Sequence, residues 1–228
     1  MDDGVRWEKR LVARALAASG TSRALLAAQS LLRRGEYIRV VNYHGTPSAH
    51  AASFERQIAF LAEHFAPVTP AALARFFEEG AWRAPRPGII VSFDDGLRSN
   101  ADVAAAVLDR YGLVGWFFVP VGFVDAPPAG QRAFAEAHQI RVDQDYPDGR
   151  VAMSWDELRD LAARHVVGCH TRTHRRLSPE VAPADLEDEI VAARGDLAEG
   201  LGRPVESFCW VGGEEASYSA EDRKSTRL

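Results

Sequence analysis

The chain has 228 residues, 46% hydrophobic and 26% charged, a balance that can bury a sizeable core and excludes a disordered or fibrous polypeptide. Its 27 Lys and Arg against 32 Asp and Glu give a net charge of -5, without the basic field that nucleic-acid binding requires. Two cysteines, Cys169 and Cys209, make neither a disulfide framework nor a Cys-based zinc pattern.

Residues 1–35 read as an Ala/Leu/Arg-rich helix pair, broken near Ser19-Gly20-Thr21, that extends and caps a domain. A membrane-surface helix is the alternative, disfavoured by a single aromatic, Trp7, and modest basicity. Arg14 and Arg23 interrupt the longest apolar stretch, Leu11–Leu32, so no membrane-spanning segment and no clean signal-peptide core is expected, and we expect a cytoplasmic protein.

From Tyr37 the pattern changes to short apolar runs separated by segments of helical period. The runs Tyr37–Tyr43, Ile89–Phe93, Gly115–Val119, Val166–Cys169 and Glu206–Trp210, the last weak at its start, predict strands buried on both faces. Between them, helices are predicted over Phe54–His64, Ala71–Glu79, Ala101–Tyr111, Ser154–Arg164 and Ala184–Glu199. Ser53 is placed to cap the first, Gly112 to close the third, and Ser154 with Glu157 stands at capping-box spacing before the fourth. The stretch Val124–Val151, with Pro127-Pro128, Gly130 and Asp145–Gly149, breaks the rhythm and reads as an excursion over one end of the fold. Alternating strand and helix implies parallel pairing, hence an α/β layer or barrel.

In such folds ligands bind at the carboxyl ends of the strands, where loops from many strands converge. Those ends carry His44, Asp94-Asp95-Gly96, His170 with His174, and Gly212-Gly213. Two adjacent carboxylates repel unless a cation or a shared proton compensates, although an isolated Asp-Asp-Gly is also a common turn. His170-Thr171-Arg172-Thr173-His174 brings two imidazoles to one side over a turn, and one carboxylate from Asp95 completes an Asp-His-His set with an open fourth position, as catalytic zinc sites have. Beside such a metal a second carboxylate can take a proton as water attacks a polarised carbonyl. Val211-Gly212-Gly213 can offer a backbone N–H to the resulting oxyanion, and His44 can line the pocket. Trp116 and Trp210 read as core rather than sugar-stacking residues, Cys169 as a small buried residue, and His50, His64, His138 and His165 as surface or structural.

Val91-Ser92-Phe93-Asp94-Asp95-Gly96 resembles the first motif, and His170-Thr171-Arg172-Thr173-His174 the second, of the polysaccharide deacetylase family, the NodB-like carbohydrate esterases. The resemblance runs from Tyr37 to Tyr218 and includes Asn42-Tyr43-His44, Ser154-Trp155-Asp156-Glu157-Leu158 and the helix Asp185–Glu199. It implies a distorted (β/α) barrel and hydrolysis of an N-acetyl amide on a sugar. It further implies Asp94 as general base, and Asp95, His170 and His174 as ligands of a divalent metal, zinc by their donor types. The implied partner is an N-acetylated carbohydrate of a polysaccharide, glycolipid or cell-envelope precursor. An amidase on small cyclic or linear amides, and a degenerate barrel that binds carbohydrate without hydrolysing it, are the alternative readings.

Two departures stand out. The family's third motif usually carries Arg or Tyr with Pro before the final glycine, whereas this chain reads Phe208-Cys209-Trp210-Val211-Gly212-Gly213, so the resemblance assigns no residue to orient the base. The fourth and fifth motifs, with a late His as general acid, are expected beyond residue 220. Five strands are too few to close the barrel. We therefore expect an N-terminal helical extension over 1–35, a barrel domain over 36–220 that lacks its C-terminal part, and a non-native tail over 221–228.

Overall fold

The computed structural model describes residues 36–214 with Ser217 and Tyr218; before residue 36 it describes only Ala24, Ala28 and Leu32. The helix pair expected over 1–35, and the tail and late motifs expected beyond residue 220, lie outside the described residues. Among those described, no helix is long and apolar enough to cross a membrane.

The fold is α/β with a parallel sheet. Its strands are β1 (Ile38–Tyr43), β2 (Ala66–Pro67), β3 (Gly88–Phe93), β4 (Gly115–Val119) and β5 (Val166–Cys169), in the order β1-β3-β4-β5. β2 pairs with the start of β3, at Ala66↔Gly88 and Pro67↔Ile89, and β4 with its end, from Val91↔Gly115 to Phe93↔Phe117. Every position of β3 and β4 is buried.

Side chains alternate across a strand, and the sheet sorts its core by that parity. Ile89, Val91, Phe93, Phe117 and Val119 pack with Phe54, Ile58, Leu108, Leu158 and Leu197 of the covering helices. Ile90, Trp116 and Phe118 face the other way, onto Val68 and Trp82. Phe93 and Phe117 stack with ring centroids 4.7 Å apart across β3 and β4, each fully buried and worth roughly 1.5–3 kcal/mol of transfer free energy. Trp116 is core, its indole N–H donating to the Val68 carbonyl at 3.0 Å.

The helices are α1 (Ala51–His64), α2 (Pro70–Glu79), α3 (Ala105–Tyr111), α4 (Val121–Asp125), α5 (Pro128–Ala137), α6 (Trp155–Ala162), α7 (Pro183–Leu186) and α8 (Ala193–Leu201). π-helical turns Asn100–Ala104 and Glu187–Ala192 lead into α3 and α8. The capping box of α6 is complete: Glu157 N donates to Ser154 Oγ at 3.2 Å and Ser154 N to Glu157 Oε2 at 2.7 Å. α3 closes on Gly112 at φ 65°, a left-handed cap that a glycine adopts without a Cβ clash.

Four expectations are corrected. Ser53 does not cap α1, because Pro47 starts a 3₁₀ turn over Ser48–His50 and the helix begins at Ala51, which leaves Ser53 inside its first turn. β1 is an edge strand rather than one buried on both faces: among the described residues it pairs with β3 alone, and Val40 is 63% exposed. The strand expected over Glu206–Trp210 is one parallel bridge, Cys169↔Phe208. Phe208 and Trp210 there pack on a cluster around Leu177, Leu186 and Ile190, and Phe208 also touches the main core. The excursion Val124–Val151 contains a helix, α5, opened by Pro128 in its first turn where a missing N–H costs nothing. Buried Gln131 fastens it, donating to the Ala126 carbonyl at 3.1 Å and accepting from Val151 N and Ala152 N at 2.8 and 3.0 Å.

Candidate active site

The strand ends converge as the sequence predicts. Asp94 and Asp95 follow β3, His170 follows β5, and His174 returns one loop later. A cavity of about 950 Å³ is lined by His44, Asp94, His170, His174, Trp210 and Gly212, among others. Asp95 lies beneath it, its side chain 3% exposed.

Asp95, His170 and His174 offer ligand atoms that all lie within 4.8 Å of one another. His174 Nε2 is 3.1 Å and His170 Nε2 3.8 Å from Asp95 Oδ1. Both histidines are oriented from behind. His170 Nδ1 is 2.7 Å from the Cys209 carbonyl and His174 Nδ1 2.7 Å from the His138 carbonyl. A carbonyl only accepts, so each Nδ1 carries a proton and each ring turns its Nε2 toward the carboxylate. Asp95 Oδ1 is buried and makes no well-formed hydrogen bond. Three lone-pair donors thus face a common point, and His, His and carboxylate oxygen suit a divalent cation.

The charges respond in the same sense. Burial pushes the Asp95 carboxyl up, but His174, and then His170 and His44, outweigh it and hold the group below the usual carboxylate range. Burial disfavours a charged His174, yet the Asp95 carboxylate raises its pKa; fully buried His170 is lowered. Burial and the nearby Asp94 and Asp95 push the Cys209 thiol up to about 12.

Backbone strain collects here. Among the described residues, positive φ outside glycine occurs at Asp95 (74°), Gln139 (59°), Thr171 (62°) and His174 (60°), each within the site or beside it. Such conformations cost on the order of 1 kcal/mol or more apiece and need surrounding contacts to hold them. Glu189, 5% exposed on the π-turn before α8, supplies several: its carboxylate accepts from Arg172 N at 2.8 Å, Thr173 N at 2.9 Å and Thr173 Oγ1. Gly122 N of α4 donates to the Arg172 carbonyl at 2.9 Å.

On the opposite wall, the His44 carbonyl accepts from Asn100 Nδ2 at 2.7 Å, and Thr46 Oγ1 lies 3.0 Å from Asn100 Oδ1. Ser99 Oγ donates to Asp143 Oδ2 at 2.7 Å, which ties the excursion to this wall. Asp94 Oδ2 accepts from Asn42 Nδ2 at 2.7 Å. Sequence reasoning missed Asn42, Asn100, Gln131 and Glu189, and gave His138 no place at the site. The available signal was a polar residue inside an apolar element, as Asn42 is in β1.

The predicted residues His44, Asp94, His170, His174 and Gly212 thus line one cavity, and Asp95 clusters with His170 and His174. A family model described as polysaccharide deacetylase matches residues 82–228. Among solved structures, the Streptococcus pyogenes deacetylase PplD in complex with acetate aligns with a TM-score of 0.62 at 13% identity, over 84% of this chain and 77% of that one. A polysaccharide deacetylase from Bacillus cereus aligns at 0.61 and 20% identity over 84% of this chain, which spans only 55% of that protein. The BpsB deacetylase domain from Bordetella bronchiseptica aligns at 0.59 and 15% identity, over 85% of each chain. At these identities the likeness establishes the fold. Comparison with curated proteins returns no match.

Proposed function

The chain belongs to the polysaccharide deacetylase family, and from that membership and the geometry of its site we propose that it is a metal-dependent hydrolase that removes N-acetyl groups from a sugar. The observation that carries the reading is the three-donor cluster Asp95, His170 and His174 directly beside a second buried carboxylate, Asp94.

In this reading Asp95 Oδ1 and the two Nε2 atoms hold the cation, and their nitrogen and oxygen donors favour zinc. The chemistry such a cation supplies when bound is acidification of water and polarisation of the acetyl carbonyl. Asp94 takes the proton released as water attacks, a role worth about 10²–10⁴ in rate. His44 borders the substrate. The Gly212 backbone N–H is the donor offered to the oxyanion, where one such bond is worth about 10²–10³. The substrate class is an N-acetylated carbohydrate of a polysaccharide, glycolipid or envelope precursor.

The test is acetate release from a short N-acetylglucosamine oligomer by the purified chain with zinc present. Release that disappears in Asp94→Asn while zinc binding persists is the expected result. Unchanged release in that variant removes Asp94 from its role. Oligomer binding without any release points to a binding barrel instead.

A further inference from the structure

The third motif of this chain offers Asp94 no basic partner, and the structure puts a different group in that place. Asn42 Nδ2 donates to Asp94 Oδ2 at 2.7 Å, and Ser92 Oγ donates to Asn42 Oδ1 at 3.0 Å. Asn42 and Ser92 face each other in the β1–β3 ladder, and Asp94 leaves β3 two residues later with its N–H on the Tyr43 carbonyl at 3.0 Å. The three side chains are thus held by one strand pair.

Their donor and acceptor roles have one solution. A carboxylate only accepts, so Asn42 must turn its NH₂ to Asp94 and its carbonyl to Ser92, whose single proton satisfies that carbonyl. A flipped amide would turn its carbonyl toward the Asp94 carboxylate and lose that bond. Among the described residues this is the one hydrogen bond to the Asp94 side chain; Oδ1, also buried, has none. One carboxylate oxygen is tethered and the other is left open.

We propose that Asn42 is the positioning residue for Asp94, fixing the plane of its carboxylate so that Oδ1 is the oxygen that accepts the proton, and that Ser92 acts through Asn42. The inference rests on the deacetylase reading, in which Asp94 is the base.

The test is steady-state kinetics on a short N-acetylglucosamine oligomer with zinc present. Misplacement of a reacting group by about 1 Å can cost about 10²-fold, so Asn42→Ala should lower kcat by roughly 10- to 100-fold with KM and zinc affinity unchanged. Ser92→Ala should lower the same constant less. The double variant should match Asn42→Ala alone, because a residue that acts only through another adds nothing once that other is gone. Multiplicative losses in the double variant, or a raised KM at unchanged kcat, would overturn the proposal. The Asn42 side-chain amide resonances read the contact without turnover, and they should move strongly in Asp94→Ala. Resonances indifferent to that change overturn the tether whatever the activity. An inactive wild-type chain whose Asn42 signals do respond counts against the deacetylase reading and leaves the tether established.

Discussion

His174 Nδ1 lies 2.7 Å from the carbonyl oxygen of His138, a residue 36 positions earlier at the end of α5. The excursion between β4 and α6 is therefore part of the site: it selects the tautomer of one candidate ligand and sets the direction of its Nε2. Partners of this kind behind a metal-binding histidine typically change metal affinity about 10- to 100-fold when removed.

Gln131 anchors that excursion through two backbone N–H groups and one carbonyl. Gln131→Ala leaves two buried N–H groups without acceptors, each costing about 1–3 kcal/mol. We expect urea unfolding to show a loss of about 2–4 kcal/mol, and zinc affinity to fall with it as His138 loosens. Unchanged stability would mean that water replaces the amide at no cost.

Glu189 holds the loop between the two histidines in its left-handed conformations. Glu189→Ala should weaken zinc binding about 10- to 100-fold in calorimetry while circular dichroism stays native. Glu189→Gln, which keeps one acceptor oxygen, should lie between. Amide exchange at Arg172 and Thr173 should accelerate in the alanine variant, and exchange at wild-type rates would show that the loop holds its shape without the carboxylate.

Removing the donors themselves is the sharper test of the cluster. Asp95→Ala combined with His174→Ala should abolish tight one-to-one zinc binding. It should not relieve the strain at these two positive-φ positions, since alanine is no better suited to that region than the residues it replaces. A double variant that binds zinc like the wild type would place the metal elsewhere.

Acid stability should report a group away from the site. His165 is 8% exposed, and burial lowers its pKa; the Asp109 carboxylate pulls it up, Arg164 pushes it down, and the balance stays below the usual value. The unfolded chain therefore takes up this proton first as pH falls through about 6.5, and folding stability drops from there toward the lower folded pKa. The neutral ring accepts from Gly115 N at 3.3 Å. In His165→Gln the slope of stability against pH just below about 6.5 should flatten by the share of one proton. An identical slope would assign the acid sensitivity to other groups.

Sequence alone determined what short-range patterns encode. Apolar run length and helical period placed β3, β4, β5 and the bodies of α1, α2, α3, α6 and α8, because a strand or helix forms from residues close in the chain. The same holds for the candidate ligand set: Asp94-Asp95-Gly96 and His170-x-x-x-His174 are local, and the rule that parallel strands open their carboxyl ends to one face predicts that they meet. The tertiary structure decided what depends on distant residues. Asn42 reaches Asp94 across 52 positions, Cys209 reaches His170 across 39, and Glu189 reaches Arg172 across 17. Such contacts exist only once the sheet has ordered its strands, and a polar residue's partner is then chosen by register and packing, which no local spacing records. For the same reason β1 read as a buried strand and became an edge, since burial of a strand's second side depends on which neighbour arrives to cover it.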